Sequence, residues 1–415
     1  MAGADGDDLS RTVDAVWRIE GARVVATLAR MVGDLGLAED LAQEAVAEAL
    51  EQWPETGVPR NAGAWLTAVA KRRAIDGWRR RDRLDERYRA IAHDLDELAD
   101  DEWVPIEDDV LRLVFAACHP VLTREAQVAL TLRVVAGLSS DEIARMFLVP
   151  LTTMQARITR AKKTLTTARV PFEVPDHTEW PQRVGGVLSV IYLVFTEGYA
   201  ATSGDRWVRT EVAQEALRLG RVLARLVPQE PEVHGLVALM ELQASRFAAR
   251  IGRDGRPVLL ADQDRGRWDR GHITRGLAAL ERADALGKGR GPYALQAAIA
   301  QCHAEARSVD ETDWETIGLI YGALAQLTPN PVVDLNLAVA VAMAKGPAAG
   351  LAMVDQLAAD DVLAGSHLLP SVRGELLAQL GRFDEARSEL IIAASLARNE
   401  RERAVLEEKA AGLRT

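Results

Sequence analysis

Apolar residues recur with helical spacing along most of this chain. From Leu37 to Trp53 (LAEDLAQEAVAEALEQW), Leu37, Leu41, Ala45 and Ala49 fall on one strip, joined by Val46, Leu50 and Trp53, as an amphipathic helix requires at about 100° per residue. The other face carries Asp40, Gln43, Glu44, Ala47, Glu48 and Glu51. Exposed helices usually mix signs to gain i,i+4 pairs, whereas this face is acidic only. It reads either as solvated surface or as a docking surface for a basic partner. Pro54 is expected to stop the helix, and the loop ETGVPRNAG leads to a second one, AWLTAVAKRRAIDGWRRRDR. There Trp65, Leu66, Val69, Ala70 and Ile75 face inward, and Lys71, Arg72, Arg79, Arg80 and Arg83 outward. A loop feeding an aromatic, strongly basic helix suits single-stranded nucleic acid, with cations along the backbone and a ring or pocket for an unstacked base. Trp65 and Trp78 suit a core equally well.

Two further short helices are written between Gly137 and Leu165 (GLSSDEIARMFLVPLTTMQARITRAKKTL). Ser139 with Glu142 three residues on forms a capping box, and Ile143, Ala144 and Met146 give the first helix a buried side. Phe147, Leu148 and Val149 make an apolar turn, and Pro150 suits the first position of the next helix. In that helix Met154, Ile158, Ala161 and Leu165 share an inward face, leaving Thr153, Arg157, Arg160 and Lys163 outside. Small polar residues at the helix start and arginines along one flank suit a major groove walled by phosphates. A core hairpin with a solvated basic face is the alternative.

Composition agrees with a helical chain: 415 residues, 48% hydrophobic and 5% aromatic. At roughly 100 to 200 residues per domain this predicts two to four units. No apolar run approaches the ~18 residues of a membrane span, and the acidic start MAGADGDDLS does not read as a signal peptide, so the chain is expected to be cytoplasmic, with no membrane partner. Cys118 and Cys302 each precede a histidine but lack the paired spacing of a zinc site. They read as structural, with no metal and no cofactor. The net charge of −11 argues against nucleic acid until its distribution is considered. Nine basic residues lie between Lys71 and Arg89, and from Ile91 to Asp109 there are nine acidic residues and no Lys or Arg. This juxtaposition predicts a phosphate-binding face followed by a solvated or polyanion-like linker.

Pro171, Pro175 and Pro181 mark a boundary, beyond which helix pairs repeat. Gly346 and Gly381 end comparable helices (DLNLAVAVAMAKG and PSVRGELLAQLG) 35 residues apart, each followed by a second helix. That period is close to the ~34 residues of a tetratricopeptide unit, whose stacking leaves a concave surface for a peptide or another domain. A polar cluster, Asp262, Asp264, Arg265, Trp268, Asp269 and Arg270, invites an enzyme reading. Without a nucleophile arrangement, phosphate loop or metal spacing, a salt-bridged loop between repeats is preferred, and no catalytic residue is assigned.

In this order, the acidic helix, aromatic-basic helix, acidic linker and helix-turn-helix resemble the extracytoplasmic-function sigma factors of bacterial RNA polymerase, over residues from about 10 to 169. The resemblance implies that AEDLAQEAVAEALEQW docks on the polymerase β′ clamp through Asp40, Gln43 and Glu44. It implies that NAGAWLTAVAKRRAID opens the −10 element, giving Asn61, Trp65, Lys71, Arg72, Asp76, Arg79 and Arg80 as −10 contacts. Arg72 stands where the family usually has Asn, so a phosphate contact is expected there rather than an amide-to-base one. Thr152, Thr153, Gln155, Arg157, Arg160 and Lys163 become the −35 contacts, while Ala156 replaces a common serine. The second half resembles the subgroup with a long tetratricopeptide-like extension, which implies a control module in place of a separate anti-sigma factor.

The expected architecture is therefore all-α. Sigma region 2 occupies 10–83, an acidic linker 84–108, sigma region 4 with its helix-turn-helix 109–169, a linker 170–183 and a tetratricopeptide-like extension 184–415. The expected partners are core RNA polymerase (β′ clamp and β flap), promoter DNA and a peptide or protein on the repeats. Two rivals remain: a helix-turn-helix activator with a repeat-based sensor, which has no use for residues 37–83, and an enzyme centred on 262–270.

Overall fold

In the computed structural model the described residues are 2–413, apart from 82–106, 148, 177, 200–209, 253–257, 259, 361–362, 364 and 398–399. They form eighteen α-helices and no strand. The chain divides into two compact units, Met1–Leu193 and Val194–Thr415. The acidic linker of the sequence reading lies almost wholly outside the described residues.

The first unit contains α1 (Ala2–Val32), α2 (Leu35–Thr56), α3 (Ala62–Arg81), α4 (Glu107–Ala117), α5 (Arg124–Val134), α6 (Ser140–Met146) and α7 (Leu151–Thr167). The unit boundary falls within α8 (Trp180–Tyr199). Gly33, at φ 67°, makes the turn from α1, and the Asp34 side chain then accepts the Leu37 N–H at 2.8 Å to start α2. This is the ordinary capping solution for a free first-turn donor. α1, α2 and α3 pack on one another, while α5 and α6 pack on α7. The two groups also touch, α1 against α4 and α2 against α7.

The observed face of α2 is rotated from the expected strip. Leu35, Ala38, Leu41, Ala42, Ala45, Ala49 and Trp53 are buried, while Leu37 and Val46 are half-buried and Leu50 is exposed. A strip built mainly of alanine lets the backbones of α1 and α2 approach closely, which a leucine strip would not. Nor does Pro54 end the helix. It sits in the last turn, and α2 runs on to Thr56, where Gly57, at φ 78°, ends it with its N–H on the Trp53 carbonyl. Near a terminus the proline ring disturbs little of the hydrogen-bond ladder.

The second unit packs α9 (Thr210–Leu226), α10 (Pro231–Ala244), α11 (Arg270–Ala285), α12 (Pro292–Glu305), α13 (Trp314–Leu327), α14 (Pro331–Lys345), α15 (Pro347–Ala359), α16 (Leu368–Gln379), α17 (Phe383–Leu396) and α18 (Glu400–Gly412), largely in sequence order. α10 is buried on every side, against α9, α11 and α12. Glu241, 1% exposed, ties these helices together by bonds to Arg221 (2.5 Å), His272 Nδ1 (2.7 Å) and Arg275 (3.2 Å). Burial pushes its carboxyl up, and the His272 and Arg221 bonds outweigh this and hold it below the usual range. The expected pairs α14–α15 and α16–α17 are present, with Gly346 and Gly381 both at positive φ (98° and 76°). Only a residue without Cβ takes that conformation readily.

The polar cluster at 262–270 is a structural corner. Asp264 caps the 3-10 turn at 265–267 and Asp269 caps α11, accepting the N–H groups of Gly266 and His272 at 2.9 Å. Buried Arg265 donates to the carbonyls of His303 (2.7 Å) and Ala306 (3.0 Å) and to Thr312 Oγ1 (3.0 Å), and lies over the Trp268 ring. These contacts hold the loop through caps and carbonyls, where the sequence led us to expect carboxylate salt bridges.

Candidate functional site

The acidic face of α2 survives in part. Asp40 and Glu44 are exposed and Gln43 is half-buried, all within one turn and a half of helix. Glu48 is engaged by Arg73 of α3 at 2.8 Å, and this bond raises the Arg73 guanidinium above its usual range. Asp40 Oδ1 lies 3.2 Å from Lys162 Nζ of α7.

At the start of α3, Asn61 is a helix cap. Its Oδ1 accepts the Ala64 N–H at 3.0 Å and its carbonyl accepts the Trp65 N–H at 3.1 Å. Trp65 is half-buried, edge-on to Trp53 with ring centroids 5.3 Å apart and planes at 61°. Leu66, Val69 and Ala70 are buried as expected, and Arg72 is exposed. Lys71 is half-buried, and burial, followed by the Arg30 charge, lowers its ammonium below the usual range. Asp76 is half-buried. The side chains of Arg79 and Arg80 lie outside the described residues, although α3 continues through both.

The helix-turn-helix forms as α6 and α7. Ser139 and Glu142 make the reciprocal capping box, at 3.1 and 2.8 Å. Pro150 stands one place earlier than expected, as the N-cap of α7. Met154, Ile158, Ala161 and Leu165 are all buried. Outside them Thr152, Thr153, Gln155, Arg160 and Lys163 are exposed and Arg157 is half-buried. Thr152, Thr153, Arg157 and Arg160 line an open groove of about 600 Å³ against Thr123 and Glu125 at the start of α5. Gln155 and Lys163 are not among its lining residues. A backbone N–H bond and the Thr123 hydroxyl hold Glu125 below the usual carboxylate range. The groove thus sets arginines beside the N-terminus of α5, whose positive end suits phosphate.

Next to this groove Cys118 is buried, its thiol pushed up to about 11 by burial despite the Thr131 hydroxyl at 3.3 Å. Cys302 is half-buried. Among the described residues no group of three or more His, Cys, Asp or Glu is placed to hold a metal ion, and no helix is long and apolar enough to cross a membrane.

One buried ionic cluster is not expected from the sequence. Glu39, 3% exposed, lies between Arg133 of α5 (2.7 Å) and Lys162 of α7. Thr166 of α7 donates to Asp34 at 2.8 Å. The signal was present: Glu39 falls one turn after Leu35 and one before Ala42, a charge on the buried strip of α2, and buried charges are seldom unpaired.

Residues 17–84 match sigma-70 region 2, residues 112–165 match sigma-70 region 4, and residues 183–284 match a family of unknown function, DUF6596. The helices above are thus sigma-70 region 2 and region 4 domains, followed by a helical segment of a different kind. The chain belongs to the same family as the uncharacterized protein R00370 of Rhizobium meliloti (strain 1021), with 44% identity over 396 residues covering 92% of each chain. It is also 30% identical over 168 residues to a protein described as the probable ECF RNA polymerase sigma factor SigI, from Mycobacterium tuberculosis, over 39% of this chain and 57% of that one. No solved structure matches the chain.

Proposed function

We propose that this chain is an alternative sigma factor of the extracytoplasmic-function type, which binds core RNA polymerase and directs it to a promoter. The observation that carries this is a region 2 and a region 4 domain in that order, with a capped helix-turn-helix whose Thr152, Thr153, Arg157 and Arg160 line one open groove. In this reading Asp40, Gln43 and Glu44 dock on the basic β′ clamp, region 4 meets the β flap and the −35 duplex, and α3 opens the −10 element. Asn61 shapes the loop that receives the flipped base by fixing the start of α3, and Trp65 is steadied by Trp53. Arg72 and Lys71 meet phosphate.

The chemistry of transcription belongs to the polymerase, so the chain contributes binding energy and geometry rather than a catalytic group. The second unit, with its stacked helix pairs, regulates or supports the sigma module through a tetratricopeptide-like surface. Reversing Asp40 and Glu44 to lysine tests the docking role. Both side chains are exposed, so the fold should persist while affinity for core polymerase falls by at least ten-fold. Wild-type affinity in that variant would remove α2 from the interface.

A further inference from the structure

In the second unit the buried carboxylate of Glu241 on α10 has more cations than it needs. Arg221 of α9 reaches it through Nε (2.9 Å) and a terminal nitrogen (2.5 Å), Arg275 of α11 through Nε alone (3.2 Å), and His272 through Nδ1 (2.7 Å). One guanidinium balances one carboxylate. The second leaves a net positive charge at the surface, where the Arg221 and Arg275 side chains are 42% and 49% exposed. Each arginine belongs to a row. Arg218 and Arg225 stand one turn to either side of Arg221, and Arg282 stands two turns beyond Arg275, so each row is about 10 Å long at 1.5 Å per residue. Lys288, after α11, donates to the Gln229 carbonyl, after α9, at 2.9 Å. The two helices therefore run the same way, with their rows side by side. Arg218 is shared with Glu215 at 2.8 Å. Arg225 and Arg282 are exposed and have no hydrogen bond or ion pair among the described residues. Glu281 and Asp284 lie well around α11 from Arg275 and Arg282 at about 100° per residue, and Asp284 is held by Arg290 at 2.7 Å.

We infer that the paired rows on α9 and α11 bind the phosphate backbone of duplex DNA, a contact separate from regions 2 and 4 and independent of the sigma-factor reading. The charge is local. From Pro292 to Thr415 there are ten basic and seventeen acidic residues, so an arginine face is not a general property of the second unit. A protein partner would need apolar anchors at the centre of the contact, and among the described residues between 210 and 318 no large hydrophobic side chain is exposed. A single strand would need rings on which its bases could stack, and neither α9 nor α11 contains Phe, Tyr or Trp. A duplex backbone needs only closely spaced cations, and the guanidinium fork matches phosphate. Glu241 contributes by holding Arg221 and Arg275 in place, which lowers the side-chain entropy lost on binding. For the same reason these two arginines are unsuitable for removal, since either loss would unbalance a buried charge. Arg225 and Arg282 carry no such burden.

The test titrates the full chain with a fluorescent duplex of unrelated sequence, about 30 base pairs long, from about 50 to 200 mM salt. In the Arg225→Gln, Arg282→Gln double variant the slope of log affinity against log salt should be shallower by about 2, roughly 1 for each lost phosphate contact, and affinity at the lowest salt should fall about ten-fold. The double lysine variant, Arg225→Lys with Arg282→Lys, keeps both charges and should keep most of the slope. Lys345→Gln, at an exposed position on α14, should change neither quantity. An unchanged slope in the double glutamine variant, or an equal loss in Lys345→Gln, overturns the proposal. So does tighter binding of a poly-glutamate peptide than of duplex by the wild type, if the glutamine substitutions abolish it, because the face would then belong to an acidic protein. Core-polymerase binding is measured separately, and its absence would end the sigma-factor reading without touching this one.

Discussion

Replacing Trp53 with alanine and with phenylalanine should separate two contributions at the hinge between α2 and α3. Trp53 is 2% exposed, closes the last turns of α2 and meets Trp65 edge-on at 5.3 Å. Its indole Nε1 has no hydrogen-bond partner among the described residues. Alanine removes nearly the whole buried ring, a change that costs about 3–5 kcal/mol in packed cores, of which the aromatic pair accounts for ~0.5–1.5 kcal/mol. Phenylalanine keeps one ring and the edge contact. It also removes a buried donor whose desolvation costs roughly 1–3 kcal/mol, which offsets much of the smaller cavity, so the net change should stay within about 1.5 kcal/mol. For a unit of this size each kcal/mol moves the midpoint by ~2–4 °C. Thermal unfolding followed by circular dichroism should therefore place the alanine variant on the order of 10 °C below wild type and the phenylalanine variant only a few degrees below. With core polymerase, the alanine variant should also lose binding to a −10 fork and keep −35 duplex binding. Equal destabilisation by the two substitutions would refute the argument from the unpartnered indole.

His303 is 7% exposed, and burial, helped by Arg246 and Arg265, pushes its imidazole down to about 4. Below the ordinary value the unfolded chain takes up a proton that the folded chain refuses, so stability should fall as pH drops from about 6.5 to about 4 by ~3 kcal/mol in all, and His303→Gln should flatten that limb in denaturant titrations. With its thiol at about 11, Cys118 should react with a disulfide reagent at pH 8 only when the first unit unfolds, while half-buried Cys302 reacts in the native chain; rapid native labelling of both would contradict this. A Cβ at Gly350 would lie 2.5 Å from the Ala342 Cβ and 2.7 Å from the Ala338 carbonyl, so Gly350→Val should destabilise the α14–α15 pair by about 1–3 kcal/mol, read as a lowered unfolding midpoint. Arg160→Ala should weaken −35 duplex binding by ~1–3 kcal/mol if Arg160 reads a base, or flatten its salt dependence if it meets phosphate, and an unchanged salt titration would take it out of the interface.

Local chemistry made much of this molecule legible in the sequence. The Ser139–Glu142 box, the Met154–Leu165 strip and the glycines at 346 and 381 are determined by neighbours a few residues away, and each forms as its spacing requires. What escaped depends on distant partners. The rotation of α2 follows from alanines chosen for the approach of α1, and the pairing of Glu39 with residues 94 and 123 positions away depends on tertiary docking. Asn61, a −10 contact by resemblance, also caps α3 through Ala64, and an asparagine just before a helix is a familiar start signal. Similarly, the 262–270 cluster resembled an active site in composition alone. Asp264 and Asp269 accept backbone N–H groups, and Arg265 donates to carbonyls, once α11 and α12 are in place.

If this chain confers promoter recognition on core polymerase, run-off transcription will reveal it. Purified core polymerase, free of other sigma factors, would be mixed with the full chain and a library of genomic fragments. Discrete promoter-dependent transcripts should form, and should disappear when Asp40 and Glu44 are reversed to lysine. Failure to bind core, together with no transcript above that of core alone on any fragment, would contradict it.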